Sequence, residues 1–223
     1  MLLFDIGANR GDAVVAGLEL GFDKIIALEP APKMFMLLHN NFKNNPEVVP
    51  LKYAVSDSNN ERIEFYECVE DGLSTINIEW LTADNALYKG KQYKTIYATT
   101  CTIDKLVEKY GLPDLVKIDV EGAETQVFNG MTCKPKKLCF EWSLFTLDQH
   151  IEQLKRLRDV NGYTEFALQY ITKHLEEPLT YRSLDDYELL PTWIENTKAE
   201  WEGGEWLKYG HRATADVGMI WVK

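Results

Sequence analysis

Two groups of residues in this sequence could do chemistry. The first is the octapeptide DIGANRGD, residues 5–12, which follows the apolar run Leu2-Leu3-Phe4. A turn of small residues between a strand and a helix lets a ligand lie close to the backbone. A phosphate-cradling P-loop needs Lys-Ser/Thr after its last glycine, and here Asp12 follows Gly11. A dinucleotide fingerprint needs G-x-G-x-x-G, and here Asn9 stands in the second glycine slot with the wrong spacing. Asp5 and Asp12 flank the loop. Acids repel a pyrophosphate and suit a ligand with positive charge. Glu29 ends the next apolar run, where a carboxylate can accept hydrogen bonds from both ribose hydroxyls. A ribonucleoside with a cationic amino-acid end, S-adenosylmethionine, satisfies both features. The competing reading is a tight turn beside a solvated glutamate.

The second group is KIDVEGAE, residues 117–124. If it begins as a strand, Lys117 and Asp119 point one way, while Glu121 falls past the strand end. Acids this close raise one another's pKa, which suits a general base. Asp119 is the leading candidate, with Glu121 and Glu141 next. Glu124 reads as an acid that favours a helix N-terminus. Asp119 and Glu141 end neighbouring strands and could hold a magnesium ion, but paired carboxylates are common without metal, so a metal is not favoured. Among the histidines, His39 reads as surface and His150 as packed beside an apolar face, while His174 and His211 flank an aromatic stretch. That stretch, 174–212, carries Tyr181, Tyr187, Trp193, Trp201, Trp206 and Tyr209 with Arg182, Lys198 and Lys208. It reads as an acceptor wall for carbohydrate stacking, or as side chains packed onto the sheet. Residues 200–206, EWEGGEW, suggest a lid.

These groups must be positioned by a frame. The 223 residues suit one large domain. A net charge of −11 argues against duplex nucleic acid or a membrane surface as partner. No apolar run approaches the ~20 residues of a membrane span, and no signal peptide opens the chain. Cys68, Cys101, Cys133 and Cys139 lack zinc spacing and read as buried thiols of a reducing, cytoplasmic compartment; a Cys133–Cys139 disulfide is the weaker alternative. The first strand starts abruptly, which suggests a piece cut from a longer protein.

Continuous apolar strands at 2–6, 24–30, 48–57, 114–120 and 137–145 alternate with helical patterns, implying a parallel sheet covered on both faces. The helical faces include Val14, Val15 and Leu18, then Met34, Leu37, Leu38 and Phe42. Alternating strands at 62–67 and 93–100 form an antiparallel add-on. Between them, 68–92 reads as a long surface excursion.

DIGANRGD, ALEPAP, AVSD, TIDKL and DLVKIDVEGAE occur in an order and spacing that resembles the FkbM-type S-adenosylmethionine-dependent methyltransferases, over about residues 2–145. The resemblance implies an α/β, Rossmann-like, doubly wound sheet of seven strands, mostly parallel, with the last antiparallel. It implies cofactor contacts from Asp5, Gly7, Ala8, Asn9 and Gly11 in the loop. It adds Glu29 and Pro30 at the ribose, Ser56 and Asp57 at the adenine edge, and Asp119 beside the methionine part. It implies O-methylation of a sugar or glycan hydroxyl by in-line displacement, with a carboxylate as base. A fused glycosyltransferase is a further implied partner. The rival functions are a nucleotide-dependent oxidoreductase and a non-catalytic nucleoside-binding module.

Overall fold

The computed structural model describes residues 1–70, 72–84, 86, 88–143, 146–170, 175–202 and 217–223. The chain runs β1 (Leu2–Ile6), α1 (Asp12–Glu19), β2 (Lys24–Leu28), α2 (Pro32–Phe42), β3 (Val48–Leu51), β4 (Ala54–Val55) and β5 (Arg62–Cys68). It continues through α3 (Glu79–Thr82), β6 (Tyr93–Cys101), α4 (Ile103–Tyr110), β7 (Leu115–Ile118), α5 (Glu124–Asn129) and β8 (Lys137–Ser143). It closes with α6 (Leu147–Asp159), β9 (Glu165–Tyr170), β10 (Arg182–Ser183), a 3-10 turn (Leu184–Leu189), α7 (Leu190–Glu202) and β11 (Val217–Val222).

The main sheet has the order β10-β9-β11-β8-β7-β1-β2-β3. β3, β2, β1, β7 and β8 are mutually parallel, and β11 is antiparallel to both β8 and β9. The seven-stranded arrangement expected from the sequence is present. The two-residue β10 adds an eighth, antiparallel edge strand that had no signal of its own.

Alternate residues of each core strand feed opposite layers. Phe4, Ile26, Val116 and Leu138 join α4, α5 and α6 on one face. Leu3, Ile25, Leu115 and Cys139 join α1 and α2 on the other. Burial on both faces is why these strands read as unbroken apolar runs. The helices use narrower stripes than their sequences suggest. α1 buries Ala13, Val14 and Gly17 while Val15 is exposed, and α2 buries Met34, Leu38 and Phe42 while Leu37 is exposed. Thr102 caps α4 by accepting from the Lys105 N–H at 3.1 Å.

Two expectations are corrected. The run 48–57 is not one strand. β3 is the sheet edge, which tolerates Pro50 without an N–H. The chain then leaves the sheet, and β4 pairs parallel with β6, so the add-on sheet has three strands, β4-β6-β5. The excursion 68–92 is not wholly a surface feature. Its helix α3 buries Trp80 and Leu81 against Cys68, with Tyr66, Leu73 and Tyr88 around them. The four cysteines are free thiols. Among the described residues no helix is long and apolar enough to cross a membrane.

Candidate cofactor and catalytic site

The loop after β1 turns through three left-handed residues, Gly7 (φ 77°), Asn9 (φ 49°) and Gly11 (φ 102°). The reason for its glycines lies within the protein. A Cβ on Gly7 would stand 1.8 Å from the Asp119 carbonyl oxygen, and one on Gly11 would stand 2.3 Å from the Phe42 ring. The loop's N–H groups are also committed. Those of Gly7 and Ala8 donate to the Leu28 carbonyl at 3.0 and 2.9 Å, and that of Gly11 to Ala8 at 2.8 Å. The Asn9 N–H donates to Glu29 Oε2 at 2.9 Å. These four N–H groups are engaged internally and are not available to an anion.

Glu29 is buried where β2 ends. It accepts from Asn9 and, through Oε1, from the Ala31 N–H at 2.7 Å. Each oxygen keeps a further lone pair that a hydroxyl can occupy. Burial pushes its pKa up to about 7, against the opposing pull of the two N–H donors.

Sheet register aligns the charged residues at the strand ends. Asp5 pairs with Lys117 across β1–β7, and Lys117 with Cys139 across β7–β8. One step further along the same face, Asp119 leaves β7 beside Glu141 of β8. The buried Lys117 ammonium lies 3.4 Å from Asp5 Oδ1 and 3.1 Å from Asp119 Oδ2. Burial works against its charge, but Asp119 and Asp5 hold it protonated and raise its pKa.

Past Asp119 the backbone turns through left-handed Glu121 (φ 56°) and Gly122 (φ 84°). This folds Glu121 back, so that one carboxylate oxygen each of Asp119, Glu121 and Glu141 lie within 4.8 Å of one another. Trp80 clamps the turn. Its Nε1–H donates to Glu121 Oε2 at 3.0 Å, and a Cβ on Gly122 would meet its ring at 2.5 Å. The Asn77 side-chain amide donates to the Gly122 carbonyl at 2.9 Å. The pKa of Glu121 is driven well above the carboxylate range by burial and then by Asp119; that of Glu141 by burial and then by Glu121. Glu124 opens α5, accepts from the Val120 N–H at 3.2 Å, and is pushed by burial up to about 7.

These parts surround a cavity of ≈ 340 Å³. Of the residues expected from the sequence, Gly7, Ala8, Asn9, Glu29, Pro30, Asp119 and Glu121 line it together. Asp5 lies beneath, fully buried on Lys117, and Gly11 serves the packing of α2. Glu141 touches the site from behind, through the carboxylate group. Ser56 and Asp57 lie outside the lining. There the wall is Tyr53, Ala54, Val55 and Phe65, and Met34 and Ile76 add to the apolar lining. Lys117, Trp80 and Phe65 had no role in the sequence reading. A lysine inside the apolar run Leu115–Ile118 was the available signal for the first. Nothing local signalled that Trp80 meets Glu121.

His150 is buried and neutral. Its Nδ1–H faces Gln153 Oε1 at 2.8 Å, and Nε2 accepts from the Ser143 N–H at 3.0 Å. Burial lowers its pKa to about 4, so it is a packed histidine. Tyr181, Tyr187 and Trp193 lie away from the cavity. The first hydrogen-bonds Glu177, the second lies under Arg158 and the third under Arg182 and against Phe166. His174, His211, Trp206, Tyr209 and Lys208, with most of the suggested lid, lie outside the described residues, as do the side chains of Lys198 and Trp201.

A family model described as the methyltransferase FkbM domain matches residues 5–174. The chain belongs to the FkbM methyltransferase family. This family uses S-adenosylmethionine, which is therefore the cofactor implied for the FkbM domain here. A curated relative, hexuronic acid methyltransferase AglP of Haloferax volcanii, is 33% identical over 135 residues, 59% of this chain and 50% of that protein. The chain spans about half the length of that relative. Among solved structures, precorrin-6y C5,15-methyltransferase of Geobacter metallireducens GS-15 has a TM-score of 0.44 at 14% identity, covering 100% of this chain and 80% of that one. The plantazolicin methyltransferase BpumL, in complex with SAH, has a TM-score of 0.41 at 6% identity, covering 100% and 76%. These remote likenesses transfer no residue roles.

The cavity of the FkbM domain fits the implied cofactor. It joins the free lone pairs of Glu29, the apolar lining that includes Met34 and Phe65, and the carboxylates of Asp119 and Glu121. These complement a ribose, a purine and a cationic amino-acid end in turn.

Proposed function

We propose that this domain transfers a methyl group from S-adenosylmethionine to a hydroxyl of a sugar or glycan. One observation carries the reading. A ribose-competent carboxylate and an acidic cluster share one cavity, and the N–H groups of Gly7, Ala8, Asn9 and Gly11 beside it are already engaged. That combination suits a cationic nucleoside and disfavours the nucleotide-dependent oxidoreductase. Acids poised at the cavity wall also favour an enzyme over a simple nucleoside-binding module.

Glu29 would take the ribose hydroxyls, and the Tyr53–Val55 segment with Phe65 the adenine. Asp119 and Glu121 would face the ammonium. When bound, S-adenosylmethionine supplies a methyl group on an already activated sulfonium. The chain's tasks are then to align the acceptor oxygen and to take up its proton. Alignment is the larger contribution. Asp119 lines the cavity while Lys117 fixes its carboxylate from below, so it is the best-placed proton acceptor. Glu121, with its raised pKa, is the next candidate. Glu141 lies outside the lining and acts through them. The name of the relative AglP, which specifies a hexuronic acid, supports a sugar as acceptor class.

The test is calorimetric titration with S-adenosylhomocysteine beside NAD, followed by transfer of labelled methyl to neutral and uronic glycosides. Saturable binding of the first ligand alone, with label entering a sugar hydroxyl, is expected. Binding of NAD in its place would overturn the reading. So would cofactor binding with label transferred only to a non-sugar acceptor, as regards the acceptor class.

A further inference from the structure

Three carboxylates converge where β7 and β8 end, and the methyl-transfer reading gives Glu141 no direct role. The donors around them are fewer than three carboxyl groups can accept. Lys117 pairs with Asp5 and Asp119, and Trp80 gives one N–H to Glu121. Glu141 is only 8% exposed, and its buried Oε2 has no hydrogen-bond partner among the described residues. Buried polar atoms are nearly always satisfied, and an exception at a convergence of acids points to a missing ligand. That ligand must be positive and must accept oxygen donors.

We infer that Asp119, Glu121 and Glu141 form a binding site for one divalent, oxygen-seeking cation. The donors are all carboxylate oxygens, which select a hard ion such as calcium, magnesium or manganese over zinc or copper. Their mutual separations, within 4.8 Å, match the span of opposed ligands around an ion with metal–oxygen distances of about 2.3–2.6 Å. The three come from different elements held rigidly: Asp119 at the end of β7, Glu121 on the turn clamped by Trp80, and Glu141 within β8. Asp119 and Glu121 also line the cavity, so the ion's remaining positions face that cavity. Asp119 and Glu121 are the same acids placed above beside the cofactor's ammonium and the acceptor's proton, so the ion would compete with those roles and its binding is measured with no cofactor present.

Terbium(III) is the probe, an oxygen-seeking ion whose luminescence a nearby indole sensitises. Trp80, bonded to Glu121, is that indole. The expected result is one saturable luminescent site, displaced by calcium or manganese, with no cofactor present. Glu141→Gln should weaken it at least tenfold, while Glu70→Gln, on an exposed ion pair with Lys91, leaves it unchanged. If Glu141→Gln fails a circular-dichroism check of folding, Glu121→Gln is read in its place. Absence of a saturable site in the folded parent would overturn the inference. So would a site that neither substitution weakens, since it would reflect the chain's general negative charge.

Discussion

The side chains at the cavity perform two tasks at once, and the residue scale is where these separate. Glu29 both fastens the loop through Asn9 and offers lone pairs to a ribose. With its pKa at about 7, it gains acceptor capacity as the proton leaves. Affinity for S-adenosylhomocysteine should therefore rise as pH climbs from 6 to 8, and Glu29→Gln should bind roughly tenfold or more weakly with a flat profile. Asp119→Asn should lower kcat by about 10²–10⁴-fold, measured by label transfer at saturating cofactor. Gly7→Ala places a Cβ on the Asp119 carbonyl at a left-handed position. It should cost on the order of 3 kcal/mol in denaturant unfolding. The acids and Glu29 were legible in the sequence because their chemistry depends on residue type and strand-end placement. The cause of Gly7 was not, because its neighbour is a carbonyl more than a hundred positions along the chain.

At the scale of elements, the add-on and its excursion act as a brace. β5 and β6 carry a short helix whose Trp80 fills the space over Gly122 and fixes Glu121. Trp80→Ala should destabilise by about 3–5 kcal/mol if the brace unfolds with the domain, and should speed proteolysis within 70–92. Trp80→Phe keeps most of the packing but removes the donor to Glu121. Its loss should be about 1–3 kcal/mol, read by the same denaturant curve. The core strands were legible because burial on both faces leaves an unbroken apolar run. The excursion was not, because a four-residue helix has no periodicity to detect and its packing partner lies on another strand's loop. The split of 48–57 was hidden for a related reason: Pro50 marks an edge, but not where the chain changes sheet.

On the scale of the molecule, buried acids set the response to pH. Glu29 and Glu124 ionise near the ordinary 4.5 when unfolded and at about 7 when folded. The unfolded chain therefore binds fewer protons between these values, and stability falls as pH rises through that window. Each rise is equivalent to roughly 3 kcal/mol. Calorimetric melting should show a lower Tm at pH 8 than at pH 5, with the difference reduced in Glu29→Gln/Glu124→Gln. The sheet's order has a separate consequence. β11 lies between β8 and β9, hydrogen-bonded to both along its length. During synthesis at the ribosome, β8 and β9 are made first and must wait with open edges until residues 217–222 emerge. Nascent chains stalled before Val217 are thus exposed to edge-to-edge association, and a chaperone that shields unpaired strands would protect them until the final strand is threaded between its neighbours.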